Sequence, residues 1–68
     1  MKITLNGQVR EFAEAEAFSV SVMLEKLELS GHPVLVELNG EALLKNEFDD
    51  REVADGATVE IVRMVAGG

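Results

Sequence analysis

The chain has 68 residues, 47% of them hydrophobic, with 13 acidic against six basic residues and a formal charge of −7. That length accommodates a single domain with a thin core, and a lone histidine without any cysteine offers neither a disulfide framework nor a metal cluster. A surface this acidic repels phosphate backbones, which argues against a nucleic-acid partner; it serves solubility and would also steer the domain toward a basic partner. Charged residues interrupt every apolar run before it reaches membrane-spanning length, and the Met1–Gly7 segment turns polar too soon for a signal peptide. With no cysteine to protect, a cytoplasmic location is expected.

From the N-terminus, Met1, Ile3 and Leu5 alternate with Lys2 and Thr4, the period-2 pattern of a half-buried strand. Asn6-Gly7 is a type I′ hairpin signal, so residues 8 to 12 should return as a second strand. Its apolar members, Val9 and Phe12, break strict alternation, which predicts a bulge or an early strand end. From Val20 the period changes: Val20, Met23, Leu24 and Leu27 form one apolar helix stripe, with Ser19 as N-cap and Val22 where a capping-box acid would stand. Ser30-Gly31-His32-Pro33 should end the helical segment, Gly31 supplying the C-cap.

Val34, Val36 and Leu38 then share one face of a third strand, with Leu35 and Glu37 on the other. Asn39-Gly40 is a second turn, leading to a short strand around residues 42 to 44. Residues 45 to 54 read as polar and irregular, pinned by Phe48 and Val53. After the Asp55-Gly56 turn, residues 58 to 64 form the last strand, with Val59 and Ile61 on one face and Glu60, Val62 and Met64 on the other. This order predicts a two-layer α+β fold in which one helix covers one face of a sheet of four to five strands. By analogy with other chains of this order it is a β-grasp, the last strand lying between the first and the third. The expected core is Ile3, Leu5, Val20, Leu24, Leu27, Val36, Leu38, Val59 and Ile61.

No constellation in this sequence supports catalysis. Ser30 and His32 form a pair on paper, yet nothing supplies an orienting acid or an oxyanion hole. Asp49, Asp50, Glu52 and Asp55 lack the spacing of a calcium loop. The end of the chain carries more information. A patterned domain of residues 1 to 65 gives way to Ala66-Gly67-Gly68, a slim tail that packs nothing and is expected to be exposed and flexible. It can thread a narrow tunnel in another protein, and the Gly68 carboxylate becomes reactive once a partner activates it. Val62, Met64, Val65 and Leu35 are expected to form an apolar docking patch at the root of that tail.

Nearly the whole chain resembles the thiamine-pathway sulfur carriers (ThiS). The likeness runs through Met1–Gly7, Ser19-Val20, Val36–Glu41, Lys45–Phe48, Asp55–Val62 and the closing Val65-Ala66-Gly67-Gly68. The resemblance implies a ubiquitin-like β-grasp that is not itself an enzyme and keeps no permanently bound cofactor. Its terminal glycine would be adenylated with ATP by an E1-like enzyme and converted to a thiocarboxylate with sulfur from a persulfide-bearing donor. It would then surrender that sulfur to thiazole synthase. Carried onto this sequence, Gly68 is the acceptor, with Gly67 and Ala66 as the inserted tail. Leu44 stands where family members often have Pro, and residues 13 to 18 replace a Gly-containing turn. Three other readings compete: the small subunit of molybdopterin synthase, a ubiquitin-like protein modifier, and a β-grasp interaction module whose tail has no role. Val62-Arg63-Met64-Val65, where molybdopterin synthase subunits carry aromatic and Pro residues, favours the thiamine family.

Overall fold

The computed structural model describes residues 1–65, so the expectation of an exposed, flexible tail at 66–68 lies outside the described residues. Strands β1 (Lys2–Leu5) and β2 (Gln8–Glu11) form an antiparallel hairpin around Asn6-Gly7, both with positive φ (50° and 81°) as a type I′ turn requires. Pairing is regular from Leu5↔Gln8 to Lys2↔Glu11, so the irregular apolar spacing reflects an early strand end and no bulge. Phe12 closes the hairpin by donating its N–H to the Met1 carbonyl (2.8 Å).

Helix α1 (Val20–Lys26) follows a two-residue strand β3 (Phe18–Ser19) that periodicity could not reveal. Ser19 caps the helix as expected, its hydroxyl accepting the Val22 N–H at 3.1 Å. The C-terminal cap differs from expectation. Glu28, not Gly31, adopts the left-handed conformation (φ 60°) after the helix. The bonds Leu29 N–H to Leu24 carbonyl (2.8 Å) and Glu28 N–H to Glu25 carbonyl (3.0 Å) make a Schellman motif around it. Gly31, at φ 82°, belongs to the turn beyond.

Strand β4 (Val34–Leu38) turns through Asn39-Gly40 into β5 (Glu41–Leu43), one residue earlier than expected. The stretch expected to be irregular contains a 3₁₀ turn (Lys45–Glu47) and strand β6 (Glu52–Val53), which pairs with β3. Phe48 and Val53 are buried there, and Arg51 clamps Glu41 with two hydrogen bonds (2.7 and 3.0 Å). That fork holds the Glu41 carboxyl below its ordinary range.

Strand β7 (Thr58–Arg63) runs parallel to β1 and antiparallel to β4, giving the sheet order β2-β1-β7-β4-β5. The last strand thus lies between β1 and β4, as a β-grasp demands. Helix α1 packs on one face of this sheet, over Ile3, Val36, Leu38, Val59 and Ile61. Met23, Phe18, Leu43, Phe48, Val53 and Ala57 complete the core. Leu5 and Leu27, expected in the core, are only partly buried at its margin. The short helix leaves their end of the sheet uncovered. Among the described residues the opposite face of the sheet carries no second layer: Val9, Leu35 and Val62 stand exposed on it.

Candidate functional site

The candidate site grows out of β7. Its alternation sends Val59 and Ile61 into the core and Glu60 and Val62 outward. Across the β4–β7 ladder Leu35 sits directly opposite Val62, and the two are 57% and 59% exposed. Opposite side chains on one sheet face lie within contact range, so the pair forms one apolar patch. Met64 and Val65 follow at 45% and 89% exposure, extending apolar surface along the chain toward residue 66. The structure therefore brings Leu35 and Val62 together and sets Met64 and Val65 just beyond them. Ala66, Gly67 and Gly68 are outside the described residues.

Two anchors fix this surface. The Met64 N–H donates to the Pro33 carbonyl at 2.9 Å, tying the root of the tail to the loop before β4. Three residues earlier, on β7, the Asn6 carboxamide accepts the Ile61 N–H (2.7 Å) and donates to the Ile61 carbonyl (3.1 Å). The paired register of β1 with β7 stops at Leu5↔Val59, so Asn6 satisfies Ile61 where β1 has ended. At the other end of β7, Asn39 makes a single such bond, its Oδ1 accepting the Thr58 N–H at 2.9 Å.

Some features of the site were not visible in the sequence. Glu37 and Glu60 lie directly opposite one another beside the Leu35–Val62 pair. Facing like charges destabilise a sheet, so this acidic pair costs the fold some stability. Alternation placed Glu60 and Glu37 outward, but only the strand register puts them face to face. A groove of roughly 720 Å³ adjoins the patch, lined by Leu24, Leu29, Val34, Leu43, Phe48 and Met64 among others. His32 is exposed and makes no serine pair; its Nδ1 lies 3.2 Å from an Arg63 guanidinium nitrogen. Among the described residues no group of three or more His, Asp or Glu side chains is placed to hold a metal ion, and no helix is long and apolar enough to cross a membrane.

The ThiS family model matches residues 3–68. The chain belongs to the ThiS family. A sulfur carrier protein ThiS from Thermus thermophilus is 36% identical over 66 residues, covering 97% of this chain and 98% of that one. The crystal structure of the thiamine biosynthesis protein ThiS from Geobacter metallireducens superposes with a TM-score of 0.87 at 38% identity, over 100% of both chains. A thiazole synthase from Paramagnetospirillum magneticum is 34% identical over all 68 residues, although the chain spans only 20% of that protein's length. A ThiS-like segment is thus part of that longer polypeptide. The likeness to the ThiS structure bears out the ubiquitin-like β-grasp, with its mixed sheet and single helix.

Proposed function

We propose that the Gly68 carboxylate is the group of this chain that bears sulfur. As a ThiS-family member the chain is a sulfur carrier of thiamine biosynthesis, acted on by other proteins and not itself a catalyst. In the proposed cycle a partner adenylates Gly68 with ATP, releasing pyrophosphate. A persulfide-bearing donor then displaces AMP to form an acyl disulfide, and a thiol of a partner protein attacks the donor-side sulfur, forming a disulfide with the donor and releasing the Gly68 thiocarboxylate. Thiazole synthase is the proposed acceptor, a reading supported by the ThiS-like segment within the Paramagnetospirillum polypeptide.

The observation that carries this reading is the run of the family match through residue 68, so that it includes Gly67 and Gly68. The role of the folded part is delivery. Strand β7, clamped between β1 and β4, holds the root of the tail, while Leu35, Val62, Met64 and Val65 give successive partners an apolar surface to grip. Glu37 and Glu60 beside that patch would orient its approach to a basic partner. Ala66 and Gly67 have little or no side chain to obstruct entry into a narrow active site.

The test is intact-mass spectrometry of the full chain after incubation with ATP, an E1-like adenylating enzyme and a persulfide donor. A product heavier by the difference between one sulfur and one oxygen is expected, and Gly68 truncation should abolish it. A chain that stays at its unmodified mass under conditions that load another ThiS protein would sink the proposal.

A further inference from the structure

Two arginines of this acidic chain have no acid to pair with among the described residues. Of the six basic side chains, Lys2 faces Glu11, Lys26 faces Glu14, and Arg51 is held by Glu41 with Glu47 nearby. Among the described residues Lys45, on the rim of the larger groove, makes no such ion pair, and neither do Arg10 and Arg63. The two arginines reach the same cleft, of roughly 230 Å³, whose other lining residues are Leu5, Asn6, Leu27, Leu29 and Ile61.

The fold explains why they meet. Arg10 pairs with Ile3 across β1–β2 and so shares its helix-facing side, while Arg63 is two residues beyond the inward-facing Ile61. Helix α1 stops at Lys26, so this corner of the sheet is left without a cover and becomes the cleft. Arg63 is held there by His32: a guanidinium can only donate, so His32 Nδ1 accepts at 3.2 Å. Two like charges directed at one cleft repel each other, and the repulsion is relieved when an anion lies between them. The apolar floor strengthens that attraction by excluding water. A guanidinium fork suits a carboxylate, which it can bind through two parallel hydrogen bonds.

We infer that the Arg10–Arg63 cleft is a second docking site, taking an acidic side chain of the adenylating partner at the rim of the opening that admits the tail. The inference rests on the delivery role proposed above. Five residues separate Arg63 from the end of Gly68, a span of at most about 17 Å, so a tail seated in the partner's active site brings Arg63 to its mouth. The cleft lies on the body of the domain rather than on the tail, which favours a carboxylate of the partner's surface over the phosphates of the nucleotide inside. An acidic body with one basic corner also fixes orientation: the outward patch and the cleft oppose different signs of charge, so the domain docks one way round.

The experiment is steady-state adenylation of the full chain by an E1-like enzyme, with carrier and ATP varied in turn. Arg10→Gln, Arg63→Gln and the double variant are compared with Lys2→Gln, which removes the same charge at the far end of β1. Circular dichroism verifies folding. Each arginine variant should raise the KM for the carrier about tenfold with kcat within twofold, the scale of one lost charge-assisted contact. Lys2→Gln should change KM by less than twofold, and added salt should weaken the wild type more than the double variant. Arginine variants that behave like Lys2→Gln, or that raise the KM for ATP instead, would overturn the inference. A wild-type chain that is not adenylated at all would count against the proposed function, whereas an adenylated wild type with unaffected arginine variants counts only against this site.

Discussion

Replacing Asn6 by glycine separates two reasons for an asparagine at that turn. Asn6 has φ 50°, a conformation that Asn tolerates and Gly adopts freely, so Asn6→Gly introduces no backbone clash. What it removes is the carboxamide that accepts the Ile61 N–H at 2.7 Å and donates to its carbonyl at 3.1 Å. A hydrogen bond contributes about 0.5–1.5 kcal/mol net, so two of them amount to about 1–3 kcal/mol. The freer unfolded chain adds up to about 1 kcal/mol more. Asn39 makes one such bond, to Thr58, so Asn39→Gly should cost about half as much. Urea unfolding followed by circular dichroism reads both values, and an unchanged m-value would show that the comparison is between like states. For a domain of this size each kcal/mol lowers the melting temperature by about 4–8 °C. If Asn6→Gly is as stable as the wild type, the left-handed backbone alone accounts for the residue and the clamp on Ile61 contributes nothing.

Leu24→Ala or Ile61→Ala should each cost about 2–5 kcal/mol, because both side chains are buried between helix and sheet; a loss under about 1 kcal/mol in denaturant melts would contradict that packing. Val62→Glu should leave stability nearly unchanged, since Val62 is 59% exposed, yet raise the KM for adenylation at least about tenfold by placing a charge in an interface core. A folded Val62→Glu chain adenylated at the wild-type rate would mean that partners grip the domain elsewhere. Glu28→Gly should stabilise the fold by about 0.5–1 kcal/mol by relieving the left-handed strain at φ 60°; thermal melts showing a loss would mean that the Glu28 side chain matters more than its backbone.

Features encoded by neighbours in sequence were legible from the residues. The alternation in β1, β4 and β7, the stripe of α1, the Ser19 cap and the Asn6-Gly7 and Asn39-Gly40 turns depend on contacts within a few positions, and each is found where its pattern placed it. The outward direction of Leu35 and Val62 follows from the same alternation. The two-residue strands β3 and β6 left no trace, because two residues carry no period. Composition misdirected the helix cap: Gly31 is the better left-handed residue, but packing of Leu29 ends the helix three residues earlier and imposes that conformation on Glu28. Register across strands belongs to tertiary structure alone. It sets Leu35 opposite Val62 and Glu37 opposite Glu60, fits Asn6 to a peptide group 55 residues away, and draws Arg10 and Arg63 into one cleft. Local patterning suffices to send Leu35, Glu37, Glu60 and Val62 outward and to end the chain on Gly-Gly beyond the last strand. Which of those side chains meet depends on the place of β7 between β1 and β4, because that pairing sums weak contacts over distances no local pattern records.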